Sequence, residues 1–173
     1  MIVSEICKNA NRPGPWTNEP DFIEWEDKET GLKCQIIRQR TGGNLCGYVG
    51  VNKDSKIHGL DYHCPILVED LETGQGLYRY GVTQAINVHG GITFSGRFNG
   101  DDENWWFGFD CSHCYDYLPI TPRDCVSGGV YRDWDYVNDE VESLARQILQ
   151  IQNSVVSKIE FQELGVKIKG ANK

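Results

Sequence analysis

An apolar stripe near the C-terminal end of the chain limits the possible folds most. Val137, Val141, Leu144, Ile148, Ile151 and Val155 recur at steps of four and three. That spacing lays them along one side of an α-helix of about five to six turns. Asp133 is placed to cap the helix, and Asp135, Asp139 and Glu140 follow near its positive end. One stripe means one buried face, so the helix must lie across a flat apolar surface. A coiled-coil seam would need more than these few heptads.

The segments upstream provide that surface. Phe22–Glu26 and Leu32–Gln39 alternate apolar and polar residues around the turn Lys28-Glu29-Thr30-Gly31, which predicts a hairpin. Thr41-Gly42-Gly43-Asn44 is a second turn, and Cys46–Val51 reads as a short buried strand. A small strand is expected around Ile66–Val68, with further strands over Val82–Val88, Ile92–Ser95 and Trp105–Phe109. The prolines of Asn9–Asp21 predict an irregular loop pinned by Trp16, and Pro119 and Pro122 interrupt the stretch after the last strand. Strands first and a long helix last predict an α+β fold, a single antiparallel or mixed sheet packed by the helix. We expect one domain over 1–165 and a frayed tail over 166–173.

The 173 residues suffice for one core without covalent staples. A formal charge of −8 opposes non-specific attraction to nucleic acid or an anionic membrane. The start of the chain shows no export signal and no segment reaches the apolar length of a membrane span, so a cytoplasmic protein is expected. Seven cysteines form no regular framework, and most of them are read as reduced thiols.

All four histidines, His58, His63, His89 and His113, fall in the middle third of the chain, and two keep unusual company. In Val88-His89-Gly90-Gly91-Ile92-Thr93-Phe94, a histidine precedes two glycines that can adopt positive φ and leave N–H groups open to an anion. In Trp105–Asp116, an aromatic strand delivers Asp110, Cys111, His113 and Asp116 together at its end. Three chemistries compete for these groups. His89, Asp110, His113 and Asp116 supply nitrogen and oxygen ligands for a catalytic divalent ion, and in the hydrolase form of this reading Asp110, His113 and Asp116 hold the metal while His89 handles protons. Cys111 is a candidate nucleophile with His89 or His113 as its base. Ligand binding would use His89, Gly90 and Gly91, with Trp106 for stacking and Arg97 or Arg79 for phosphate. Cys111 and Cys114 form a C-x-x-C, but no helix-forming stretch follows it, which argues against a redox motif.

The runs Gly47–Val51, Val88–Phe94, Trp105–His113 and Tyr131–Val137 resemble a largely uncharacterised family of phage and bacterial accessory proteins, over about Cys46–Leu149. Its pattern ends in Asp-Cys-small-His-x-Gly-Asp, which maps onto Asp110 through Asp116. Tyr115 stands where that pattern has glycine. The resemblance implies an accessory role against a host function, with a nucleotide-like signal as one candidate ligand.

The expected function is therefore binding of a small polar or anionic ligand in a His/Asp/Gly-Gly pocket. A metal-dependent hydrolase in the same pocket is the alternative. An acidic interaction module, acting on a host protein through Glu19–Glu29 or Asp133–Glu142, is the third reading.

Overall fold

The computed structural model describes residues 4–8, 10, 13–69, 77–98, 100–120 and 129–158. The expected tail at 166–173 and the side chain of Arg79 lie outside what it describes. The fold is α+β. Strands β1 (Phe22–Glu26), β2 (Lys33–Arg38) and β3 (Leu45–Val51) form an antiparallel meander. Strand β4 (Pro65–Glu69) pairs with β5 (Leu77–Gly81), and the one-turn helix α1 (Val82–Ala85) follows directly. Strands β6 (Phe94–Gly96) and β7 (Trp105–Asp110) then complete a five-stranded antiparallel sheet in the order β1-β2-β3-β7-β6. Helix α2 (Trp134–Ser154) is followed by β8 (Val155–Lys158), which joins β4 and β5 in a second, three-stranded sheet.

Pleating sorts the five-stranded sheet into two apolar faces. Cys34, Ile36, Leu45, Val49, Val51, Phe107 and Phe109 meet Val137, Val141, Leu144, Ile148 and Ile151 of α2 in the main core. The intervening Cys46, Tyr48 and Trp106 form a smaller cluster on the opposite face, closed by Ile37, Phe94 and Phe98. Gly47 lets the helix come close, because a Cβ there would lie 2.4 Å from Val141 Cγ2. The helix begins at Asp133, whose carboxylate accepts from the Tyr136 N–H at 3.0 Å.

Two expectations need correction. Val82–Val88 is not a strand. Val82, Ala85 and Ile86 are spaced for a helical turn as much as for alternation, and the Gln84 side chain accepts from the Gly81 N–H at 3.1 Å to start that turn. The apolar stripe also leaves the helix one residue early. Val155 turns extended (φ −66°, ψ 119°), its N–H still reaching the Ile151 carbonyl, and it pairs with Val68.

A buried ion network anchors the N-terminal segment and orients the approach to α2. Arg38, at the end of β2, pairs with Glu19 (2.8 Å) and Asp21 (3.0 Å) and donates to the Gly43 carbonyl and Tyr131 Oη, both at 2.8 Å. Glu19 also accepts from the Trp134 N–H, and Asp21 accepts from the N–H groups of Glu5 and Ile6. The chain preceding α2 is thereby fixed at the end of the sheet where β7 finishes. Among the described residues no helix is long and apolar enough to cross a membrane.

Candidate functional site

The site lies where β7 ends and α2 begins, and four chain segments build it. Beyond Cys111 the chain turns through 113–116, closed by the Asp116 N–H donating to the His113 carbonyl at 3.1 Å. An isolated bridge between Asp116 and Val130 draws in the approach to α2, which carries Arg132. The turn after Val88 contributes His89, and the first turns of α2 contribute Tyr136 and Glu140. These two are four residues apart and so share one flank of the helix.

Asp116 is the hub. Its side chain is 1% exposed, and every polar contact on it comes from a donor. Oδ2 accepts from His89 Nε2 at 2.8 Å and from the His113 N–H at 2.9 Å, and Oδ1 accepts from Arg132 Nε at 3.1 Å. Burial pushes this carboxyl upward, but the His89 imidazole, the His113 N–H and the Arg132 guanidinium together hold it below the usual carboxylate range. It is therefore a carboxylate at neutral pH, able only to accept. His89 Nε2 must then carry a hydrogen, so in the neutral ring Nδ1 accepts from Tyr136 Oη at 3.0 Å. The Glu140 carboxylate takes the His89 backbone N–H at 2.8 Å, which fixes the residue from its other side.

His113 is held differently. Its ring packs edge-on to His89, centroids 5.3 Å apart, and rests against Gly90. A Cβ on Gly90 would come within 2.0 Å of His113 Cε1, and Gly90 has φ +66°, so only glycine fits there. Nδ1 of His113 is buried and finds no hydrogen-bond partner among the described residues. It lies 3.6 Å from Asp116 Oδ2, close enough for attraction but too far for a hydrogen bond. The side chain as a whole is 33% exposed. Arg132 stacks over the Tyr136 ring at 4.8 Å while its Nε holds Asp116. Among the described residues its two terminal nitrogens have no hydrogen-bond partner.

The expected site residues thus divide. His89, Gly90, His113 and Asp116 come together, and Gly91 completes the turn with φ +82°. Gly91 does not offer a free amide, since its N–H donates to the Val88 carbonyl. Asp110 points elsewhere. Pleating turns it to the Trp106 face, where it accepts from Thr93 Oγ1 at 2.9 Å and from the Ser112 N–H at 3.0 Å. Trp106 fills the smaller cluster and donates its indole N–H to Asp101, so it presents no stacking surface to the histidines. Arg97 is exposed beyond β6. Cys111 is buried in the main core, where burial and the Asp116 charge push its thiol up. That state opposes nucleophilic use.

Arg132, Tyr136 and Glu140 had no place in the expected site. The sequence signals for them were the run Tyr131–Val137, which holds Arg132 and Tyr136, and the helical spacing of Tyr136 and Glu140 just behind a cap residue. Comparison of the chain with family models, with curated proteins and with solved structures gives no match.

Proposed function

We propose that this site binds a small anionic ligand bearing a phosphate group, with Arg132 as its anchor. The observation that carries the reading is the state of that guanidinium. Nε on Asp116 and the contact with Tyr136 hold it, while the terminal nitrogens of the fork have no hydrogen-bond partner among the described residues. Arginine presents its donors in a fixed plane that matches phosphate oxygens two at a time. Ordering it in advance removes much of the side-chain entropy that binding would otherwise cost. The partly exposed His113 ring lies on the same hub and adds a donor that can switch protonation state.

The acidic surface favours a small ligand over a polyanion. A chain of charge −8 repels an extended phosphate backbone at long range, while one phosphate can be paired locally. A nucleotide-like signal is the ligand that the resemblance to phage accessory proteins adds, and an effect on a host function would follow from sequestering it. The six described cysteines are all free thiols, which fits activity in the reducing cytoplasm.

Calorimetric titration with inorganic phosphate and pyrophosphate, in chelator, tests the reading. The wild-type chain is expected to bind one equivalent, and Arg132→Met to weaken binding by on the order of 10-fold or more, the loss of about 1.5–3 kcal/mol of charged hydrogen bonding. Equal binding by wild type and Arg132→Met would place the anion elsewhere and end the proposal.

A further inference from the structure

We propose that His89, His113 and Asp116 also hold a divalent transition-metal ion, with His89 Nε2, His113 Nδ1 and Asp116 Oδ2 as the protein ligands. The proposal does not rest on the phosphate reading, because it uses different atoms of the site. One candidate donor atom from each of the three residues lies within 4.8 Å of the other two. Tetrahedral ligands on one zinc-class ion at bond lengths of about 2.0–2.2 Å lie about 3.3–3.6 Å apart. The 3.6 Å between His113 Nδ1 and Asp116 Oδ2 already meets that spacing, and the 2.8 Å between His89 Nε2 and Asp116 Oδ2 opens as the ion replaces the shared hydrogen.

Three further features point the same way. First, His113 Nδ1 is buried without a hydrogen-bond partner among the described residues and lies 3.6 Å from Asp116 Oδ2. A buried polar atom of this kind is costly unless something occupies it. Second, the supporting contacts are those a ligand set needs. Arg132 engages Oδ1 and the His113 N–H holds Oδ2 at 2.9 Å, so the ion would take the place on Oδ2 that the His89 Nε2 hydrogen now occupies, and Tyr136 Oη faces His89 Nδ1 at 3.0 Å. When the ion takes Nε2, the proton of the neutral ring moves to Nδ1 and is donated to Tyr136, so no net proton is gained or lost at His89. Third, Gly90 gives the His113 ring the space that any side chain would fill.

Two imidazoles and one carboxylate select zinc, cobalt, iron or manganese over calcium and magnesium, which prefer all-oxygen cages. The charges facing the ion are Asp116 and Arg132, with Glu140 beyond the His89 backbone. Arg132 opposes the ion and the two carboxylates favour it. Three protein ligands leave coordination positions open beside the Arg132 fork, the arrangement of a metal that shares its anion with an arginine.

The test uses the full chain stripped with chelator, dialysed free of it and titrated with cobalt(II), read by the visible d–d absorption. One equivalent with intense tetrahedral or five-coordinate bands is expected. His113→Gln loses no side-chain hydrogen bond to the described residues at Nδ1, so it should stay folded by circular dichroism and weaken cobalt binding by at least about 100-fold. Arg132→Met should weaken phosphate binding in chelator and still give the cobalt spectrum, so the two proposals fail separately. Two outcomes would overturn the metal site: cobalt binding unchanged in His113→Gln, or no cobalt spectrum from the folded wild-type chain at millimolar metal.

Discussion

Tyr115 records the geometric demand of the loop that presents His113 and Asp116. It has φ +75° and is 65% exposed, so it accepts left-handed backbone strain without packing in return. An L-residue in that region carries about 1–2 kcal/mol of strain. Tyr115→Gly relieves it and gives back about 0.4–1 kcal/mol through the more flexible unfolded chain. A net stabilisation of about 0.5–1 kcal/mol is expected by urea denaturation, with Tyr115→Ala giving none of it. The same logic ranks two neighbours. Gly90→Ala meets both a φ of +66° and the His113 ring, whereas Gly91→Ala meets only the φ of +82°. Gly90→Ala should therefore cost clearly more, about 2–4 kcal/mol against about 1–2. Equal urea midpoints for the two variants would mean that His113 is not seated on Gly90. At this scale the sequence disclosed part of the site. His89, His113 and Asp116 stood out because they are ionisable groups beside glycine turns and a strand end. Asp110 and Trp106 stood out for the same reason, and only pleating, which sends alternate residues to opposite faces, removes them from the site. Arg132 was masked by its neighbour, since Asp133 explains that stretch as a helix cap.

The helix and its sheet show what could be read one level up. The α2 stripe, its Asp133 cap and the β1–β2 hairpin follow from period and turn chemistry, and they appear where those signals place them. Strand β4 appears where a small strand around Ile66–Val68 was expected, but helix α1 and strands β5 and β8 were not legible, because elements of four or five residues carry too few positions to establish a period. The contact of Gly47 with Val141 and Phe109 gives a test of how α2 is seated. Gly47→Ala forces overpacking worth about 1–3 kcal/mol, and Val141→Ala alone leaves a gap worth about 1–2 kcal/mol. In the double variant the new methyl occupies space that the valine vacates, so the double should be less destabilised than the two singles combined by at least about 0.5 kcal/mol. Additivity in chemical denaturation would mean that the helix approaches the sheet elsewhere. The strap formed by Asp21 and Arg38 has a pH signature. Burial raises the Asp21 carboxyl, but Ser4, the Ile6 and Glu5 N–H groups and Arg38 outweigh it and hold it below its usual value. A folded pKa below the unfolded one means that the unfolded chain binds the proton more tightly. The contribution is then full at neutral pH and disappears as pH falls below about 4 through the folded value. Wild type should lose more stability between pH 6 and pH 3 than Asp21→Asn does, measured by urea midpoints at each pH.

For the molecule as a whole, the site joins four segments: the turn at His89, the loop from His113 to Asp116, the approach through Arg132, and the first turns of α2 at Tyr136 and Glu140. The strands β7 and β6 bring the first two together, and the bridge of Asp116 to Val130 brings the third against them. A ligand bound there contacts groups that the unfolded chain does not assemble, so its binding energy becomes folding energy. At a hundredfold excess over Kd that linkage amounts to about 2.7 kcal/mol. For a domain of this size each kcal/mol moves Tm by about 2–4 °C, so a rise of about 5–10 °C is expected at that concentration. The rise should grow with the logarithm of ligand concentration and require the joining residues. Phosphate should raise Tm in wild type in the presence of chelator and not in Arg132→Met. Cobalt should raise it in wild type and in Arg132→Met but not in His113→Gln. A shift that survives all of these substitutions would come from ions acting on the acidic surface at large, for which a chain of charge −8 offers many weak sites. Sodium sulfate and sodium chloride at matched ionic strength separate that general effect, because only a localised phosphate site prefers phosphate over both.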